Sequence, residues 1–249
     1  MVATVFVHGI RLSASMWGPV AERVNGPTAA PDLPGHGTRH AERFTVDGAV
    51  EAIAASIASV GGQAVLVGHS LGGFMAITAA GRYPDQVTAL VAGGCTVRPR
   101  GAFLAAYRGV ARLAAIRPDI ADRLSSRGFR RALPDPIARA MVAGGVRCAV
   151  MPEVVAAVSG LDPIGELHRY PGPVVLFNGA RDPFRAHERR FVAAASARLV
   201  IVPRRGHIGI MAETETLAGL VTTAAAWAAA SPPQDLSTDT QPGSTRNDC

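Results

Sequence analysis

The sequence of 249 residues contains no lysine, so all 25 of its basic residues are arginine. This absence excludes chemistry that depends on a lysine amine, such as Schiff-base and pyridoxal-phosphate catalysis and Walker-type nucleotide binding. Aromatic residues make up only 5% of the chain, whereas nucleic-acid binding typically needs basic residues interleaved with aromatic ones. We therefore predict no nucleic-acid partner.

Cysteine is also scarce. Cys95, Cys148 and Cys249 have no paired spacing, so neither a disulfide framework nor a zinc knuckle is predicted, and we expect a reducing, cytoplasmic location. The first residues, MVATVFVHGI, show no basic region followed by an apolar stretch and a cleavage site. No apolar run is long enough for a transmembrane helix. We therefore expect a soluble protein that does not bind a membrane.

Short apolar runs alternate with alanine-rich helical stretches, which is typical of a parallel sheet covered by helices. The predicted strands are 2–7, 28–32, 64–68, 87–93, 173–178 and 198–202. The predicted helices are 14–24, 46–60, 71–82, 185–196 and 212–229. The pattern predicts an α/β fold.

The alternation is interrupted between residues 98 and 170, where only helical segments occur. We interpret 98–170 as an inserted helical lid and residues 1–97 with 171–230 as the core. Residues 231–249 are polar and rich in proline, so we predict a disordered tail.

The most specific local motif is Gly-His-Ser-Leu-Gly at 68–72, between a predicted strand and an alanine-rich helix. This context is typical of a nucleophile elbow, in which a strained turn exposes the hydroxyl of Ser70. A serine hydroxyl needs an adjacent base, and the base needs an orienting carboxylate. Asp182 and His207 each follow a later predicted strand, and the order Ser, Asp, His fits such a triad.

An oxyanion formed during acyl transfer needs two backbone N–H donors. The residue after the nucleophile, Leu71, is one candidate, and Ile10 in the loop after the first strand is the other. His36 and His40 have the spacing of helical metal ligands, but no further ligand cluster accompanies them. We therefore predict no metal and no other cofactor.

In order along the chain, the segments VFVHGI, PDLPGHG, GHSLGG and NGARDP and the Gly-His pair at 206–207 resemble the α/β-hydrolase superfamily, specifically its lidded, single-domain esterase-like members. The resemblance covers residues 2–229. It implies that Ser70, Asp182 and His207 are nucleophile, acid and base. It also implies that Trp17 and the loop at 32–37 shape the wall of the site.

Members of this superfamily commonly begin with two further strands, whereas Met1 here leads directly into the first predicted strand, so we expect a sheet without those two strands. The resemblance therefore implies an α/β-hydrolase fold with a six-stranded, mostly or wholly parallel sheet, helices on both faces and a helical lid. The segment 28–32 would then form an exposed edge, a candidate surface for a homodimer.

The expected reaction is hydrolysis of a carboxylic ester or thioester of a small, largely apolar acyl substrate through an acyl-enzyme. Two alternatives stay open: a binding protein on the same fold that does not hydrolyse its ligand, and a carbon–carbon bond hydrolase or perhydrolase with the same triad. The candidates for the substrate pocket are Arg11, Trp17, Phe103 and Tyr107.

The net charge of +6 is not spread evenly. Residues 98–170 hold 12 arginines and 6 acidic residues, whereas the rest of the chain holds 13 of each. The spacing of Arg108 with Arg112, and of Arg123 with Arg127, favours a solvated helix surface. Attraction of anionic substrates by a basic lid is the second interpretation.

Overall fold

The computed structural model describes residues 1–230, so the predicted tail at 231–249 lies outside the described residues. Six parallel strands form one sheet in the order β2-β1-β3-β4-β5-β6. They are β1 (Thr4–Val7), β2 (Thr28–Ala29), β3 (Ala64–His69), β4 (Val87–Gly93), β5 (Val174–Gly179) and β6 (Arg198–Val202). This arrangement confirms the predicted fold class.

The edge strand β2 is shorter than the predicted segment 28–32. Only Thr28 and Ala29 pair with β1, opposite Thr4 and Val5. Pro31 follows closely and has no N–H to donate to a strand ladder, which accounts for the early end of the strand.

The sheet is buried because both of its faces carry apolar side chains. Alternate residues of β1 point to opposite faces, so that Val5 and Val7 pack into one hydrophobic cluster and Phe6 packs into the other. All six residues of β3 are buried. A continuous apolar strand of this kind needs helices on both sides of the sheet.

The helices that cover the sheet lie close to their predicted positions. They are α1 (Gly18–Ala21), α2 (Val46–Ser59), α3 (Leu71–Arg82), α9 (Glu188–Ala195) and α10 (Thr214–Ala230). The predicted helix 14–24 is divided into a 3-10 turn, Ala14–Trp17, followed by α1. Helix α2 begins after Thr45, whose hydroxyl accepts the N–H of Gly48 and so caps the helix.

Five helices lie between β4 and β5, all within the stretch predicted to be helical. They are α4 (Gly101–Ile116), α5 (Pro118–Ala132), α6 (Asp135–Ala143), α7 (Met151–Val158) and α8 (Pro163–Arg169). Helix α4 packs against α7, whereas α8 packs against α3 and α9 of the sheet layer. The last of the five helices therefore adjoins the core.

The corner between α4 and α5 exposes several large aliphatic side chains. Their exposed fractions range from 44% to 70%, for Val110, Leu113, Ile116, Ile120 and Leu124. Within residues 1–230, no single helix has the length and hydropathy needed to cross a membrane, although the bent pair Asp135–Ala143 and Cys148–Val158 meets the criteria of length and composition.

Candidate active site

Ser70 lies at the sharp turn between β3 and α3. Its backbone has φ 60° and ψ −120°, a conformation that L-residues rarely adopt, and its N–H donates to the carbonyl of Gly93 over 2.8 Å. A Cβ at Gly68 would collide with the backbone of Gly72, and a Cβ at Gly72 would collide with the carbonyl of Val7. The two glycines therefore allow the strand and helix to approach closely enough to form the turn.

The structure brings Ser70, Asp182 and His207 into one hydrogen-bonded chain. Asp182 follows β5 and His207 follows β6, so both lie at the carboxyl edge of the sheet, as Ser70 does. The Nε2 of His207 is 2.9 Å from Ser70 Oγ, and its Nδ1 is 2.9 Å from Asp182 Oδ2. This geometry allows His207 to take a proton from Ser70 while Asp182 fixes the imidazole tautomer.

The carboxylate of Asp182 is buried and held from two sides. Its Oδ1 accepts the N–H of Phe184 over 2.8 Å, while Oδ2 faces His207. Burial alone would raise the pKa of Asp182, but the hydrogen bond and charge of His207 and the Phe184 N–H lower that pKa below its usual value. Asp182 therefore stays ionised and can stabilise an imidazolium at His207.

Two aromatic neighbours enclose the His207 ring. Phe184 stacks on it with ring centroids 4.3 Å apart, and the buried His69 lies 4.7 Å away on the β3 side. Burial and the neighbouring His207 lower the pKa of His69 to about 3, so this ring is neutral at neutral pH. The Nε2 of His69 has no hydrogen-bond partner among the described residues.

His69, Asp182 and His207 place potential metal-ligand atoms within 4.8 Å of one another. Both ring nitrogens of His207, however, already join the chain between Ser70 and Asp182. The hydrogen-bonded chain accounts for this cluster without a metal ion.

The loop after β1 lies beside the serine. A Cβ at Gly9 would come within 3.7 Å of Ser70 Cβ, and Ile10 lines the same cavities as Ser70. Within residues 1–230, the backbone N–H groups of Ile10 and Leu71 have no hydrogen-bond acceptor. Both N–H groups are therefore without a partner in the described part of the protein.

The conformation of this loop is fixed by His8. Its Nε2 accepts the N–H of Leu33 over 2.9 Å, and its Nδ1 lies 2.9 Å from the carbonyl of Gly9. A further contact joins the N–H of Gly9 to the sulfur of Met16 over 3.3 Å. The loop that carries Ile10 is thus tied to the rest of the fold on both sides.

Two cavities meet at Ser70 and share Ile10, Tyr107 and Phe184. The first, of about 50 Å³, is almost entirely apolar and is completed by Leu71, Phe74, Val97, Pro99, Leu104, Val154, Val155 and Val158. The second, of about 130 Å³, is more polar and is completed by Gly9, Arg11, Leu12, Met16, His69, Phe129, Met141, His207 and Ile208.

The four predicted pocket residues have different positions. Tyr107 lines both cavities and Arg11 lines the second. Trp17 lines neither, because its fully buried ring stacks on Phe6 in the core, with centroids 5.2 Å apart. Phe103 lies in α4, and its side chain is outside what the structure describes.

Sequence reasoning missed Phe184 and His69 as parts of the site. Phe184 stands two residues after Asp182, and His69 directly precedes Ser70, so adjacency to the motifs was an available signal. The valines of α7 carried no such signal, because only the packing of α7 beside the serine identifies them as cavity walls.

Comparison with known proteins begins with a model of the alpha/beta hydrolase family, which matches residues 4–220. Pimeloyl-(acyl-carrier protein) methyl ester esterase of Neisseria meningitidis is 28% identical over 234 residues, covering 86% of this chain and 90% of the relative. Lipase LipV of Mycobacterium tuberculosis is 43% identical over 88 residues, which is 34% of each protein. The prediction of an enzyme that hydrolyses ester bonds agrees with these names.

Solved structures show the same fold. E-2-(acetamidomethylene)succinate hydrolase matches with a TM-score of 0.73 and 24% identity, covering 90% of this chain and 91% of that one. The thioesterase domain from the curacin biosynthetic pathway matches with a TM-score of 0.68 and 20% identity, covering 89% and 91%. Together with the family model and the sheet topology, these matches show that the chain belongs to the alpha/beta hydrolase family.

Proposed function

We propose that the protein is a serine hydrolase that cleaves a carboxylic ester or thioester through an acyl-enzyme, with Ser70 as nucleophile, His207 as base and Asp182 as acid. The observation that carries this proposal is the chain of two 2.9 Å hydrogen bonds from Ser70 through His207 to Asp182. The strained backbone of Ser70 supports it, because strain of this kind concentrates at functional sites.

In the acylation step, Ser70 Oγ attacks the substrate carbonyl while its proton passes to His207 Nε2. The backbone N–H groups of Ile10 and Leu71 donate to the developing oxyanion. His207 then returns the proton to the leaving alcohol or thiol as the bond to it breaks. Water, deprotonated by His207, then attacks the carbonyl of the acyl-enzyme. The bond to Ser70 Oγ breaks, His207 returns the proton to Ser70, and the carboxylic acid is released.

The apolar cavity beside Ser70 favours a small, largely apolar group on one side of the scissile bond. Leu104 and Tyr107 of α4 and three valines of α7 line it. We therefore assign residues 98–170 the role of a lid over a core formed by 1–97 and 171–230. The names of the relatives, two ester-cleaving enzymes, support this substrate class.

A fluorophosphonate probe tests whether Ser70 is activated, since a serine reacts with it only when an adjacent base increases its nucleophilicity. We expect labelling of the folded protein at Ser70, identified by peptide mass, and none in Ser70→Ala. Absence of labelling in a folded protein would favour a binding protein on this fold.

A substrate panel then defines the reaction. p-Nitrophenyl esters of increasing acyl length, matched acyl thioesters and a β-diketone test ester, thioester and carbon–carbon cleavage in turn. Added peroxide tests for perhydrolase activity with the same acyl donors. We expect turnover of short to medium esters or thioesters, whereas turnover of the β-diketone alone would contradict the proposal.

A further inference from the structure

Arg11 differs from the other arginines near the site, because it lies inside the second cavity, beside Ser70, and is half-buried. Within residues 1–230, its guanidinium has no carboxylate within salt-bridge distance and no hydrogen-bond acceptor. The polar groups that share the cavity, on Ser70, Tyr107 and the histidines, bring no negative charge. A partly buried guanidinium without a carboxylate partner can bind an anion that enters the cavity.

The acidic side chain on the Cys148 side of Arg11 already has another hydrogen-bond partner. Asp122 lies on the same side, near Cys148, but its Oδ1 accepts the backbone N–H of Cys148. The guanidinium carbon of Arg11 lies over the ring of Phe129, 5.4 Å from its centroid. This cation–π contact orients the guanidinium and leaves its N–H groups without acceptors.

The backbone of Arg11 has an unusual conformation that a hydrogen bond stabilises. Its φ is 60°, in the left-handed region where glycine is free of strain and arginine is not. The Arg147 N–H donates to the Arg11 carbonyl over 2.9 Å and holds this conformation. Backbone strain of this kind is concentrated at functional sites such as ligand-binding sites.

We propose that Arg11 binds a carboxylate of the substrate. The substrate would place an apolar group in the first cavity and a carboxylate in the second, on the opposite side of the scissile bond. The planar guanidinium fork matches a carboxylate in two parallel hydrogen bonds. This inference rests on the proposed function and adds the substrate class, an ester or thioester that carries a free carboxylate.

Matched substrates test the proposal. Hexanoyl glycolate is compared with hexanoyl glycolamide, and monohexyl succinate with hexyl succinamate, so that each pair differs by one carboxylate in place of an amide. For at least one pair, we expect Arg11→Gln to lower the ratio of kcat/KM for the anionic to the neutral ester by about 10- to 100-fold, mainly through KM. Arg11→Lys keeps the charge but loses the fork, and should restore part of the ratio.

Arg108→Gln is the matched control, because Arg108 is an exposed arginine of α4 that lines neither cavity. We expect this variant to keep the wild-type ratio. An unchanged ratio in Arg11→Gln for both pairs, or an equal loss in Arg108→Gln, would overturn the proposal.

Binding to a variant without the nucleophile separates this inference from the proposed function. Calorimetric titration of Ser70→Ala with each substrate pair should show tighter binding of the anionic member, and Ser70→Ala/Arg11→Gln should lose that preference. The measurement is valid even when no ester is turned over. Equal affinity for the anionic and neutral members in Ser70→Ala would overturn the assignment of Arg11.

Discussion

The candidate site has two halves, one formed by loops at the ends of strands and one formed by helices. In the strand-end half, formed by the residues that follow β1, β3, β5 and β6, backbone geometry and burial fix each group. In the helical half, formed by α4 to α7, the cavity walls are apolar side chains on helices whose outer faces carry exposed arginines and aliphatic residues. In the proposed function, the first half determines the reaction type, and the second half largely determines the fit to the substrate.

This difference predicts opposite tolerances. An added Cβ at Gly68 or Gly72 in the strand-end half would collide with backbone atoms. An added Cβ at Gly109, on an outer helical surface, would have no atom within 4 Å. Substitutions at the hydrogen-bonded chain and at the tightly packed glycines of the first half should therefore abolish the chemistry or the fold, whereas substitutions in the helical half, and at Arg11, should alter selectivity.

The largest effect is expected for Ser70→Ala, which removes the proposed nucleophile at the centre of the strand-end half. We expect kcat/KM for an activated ester to fall by about 10⁴-fold or more, with an unchanged urea midpoint of unfolding. Ser59→Ala, on the exposed end of α2, is the control and should keep full activity. Turnover in Ser70→Ala above a few per cent would refute the assignment of Ser70.

The next prediction compares one substitution in the two halves. Gly72→Ala forces a Cβ into the carbonyls of Val7 and His8, so we expect the free energy of unfolding to fall by about 3 kcal/mol. Gly109→Ala on α4 meets no atom within 4 Å and should raise that free energy by about 0.5–1 kcal/mol, because alanine favours the helix. Urea unfolding of the two variants measures both values. Equal effects would contradict the comparison.

A third prediction concerns pH and the buried His69. The pKa of His69 is about 3 in the folded state, below the ordinary value of 6.5. Between these two pH values, the unfolded chain binds a proton at His69 and the folded chain does not. The stability that His69 contributes is therefore complete above pH 6.5 and is lost as the pH falls toward 3. Between pH 7 and 5 this loss amounts to about 2 kcal/mol.

The variant His69→Gln removes this titration, so its free energy of unfolding should fall by about 2 kcal/mol less than that of the wild type between pH 7 and 5. His168→Gln, at an exposed position of α8, should follow the wild-type curve. Parallel curves for the wild type and His69→Gln would rule out this contribution of His69.

The smallest effect is expected in the helical half. Leu104→Ala enlarges the first cavity, so the preferred acyl chain should lengthen by about two carbons, with a change of roughly tenfold in relative kcat/KM between short and long esters. Leu113→Ala on the same helix is 70% exposed and lines no cavity at Ser70, so it should keep the wild-type preference. An identical chain-length profile for Leu104→Ala would argue against this cavity as the acyl pocket.

The sequence could predict that the residues of the strand-end half lie together, because the signals for their positions are local. Each of Ser70, Asp182 and His207 follows a short apolar run, and the carboxyl ends of parallel strands meet at one edge of the sheet. The six strands followed from the same pattern, and the position of segment 28–32 at the edge of the sheet followed from the family resemblance.

The helical half was less predictable because its function depends on packing between helices. Leu104 and Leu113 of α4 lie on opposite sides of the helix, because nine residues correspond to about two and a half turns. Leu104 lines the cavity while Leu113 is exposed, and only the packing of α4 decides which side is covered. Trp17 was assigned to the pocket by resemblance, yet its contact with Phe6 places it in the core. Such contacts join residues that are distant in sequence and carry no local signal.

The hydrogen bond from Arg147 to Arg11 is one of several links between segment 140–147, which contains the end of α6, and the segment that follows β1. Ser15 donates its hydroxyl to the carbonyl of Ala140, and the N–H of Gly144 donates back to the Ser15 hydroxyl. Any opening motion of the helical half must break these bonds or hinge before α6, within α4 and α5. Amide hydrogen exchange should therefore show slower exchange at Arg147 than at its exposed neighbours, and tests whether the helical half hinges as the proposed lid role requires.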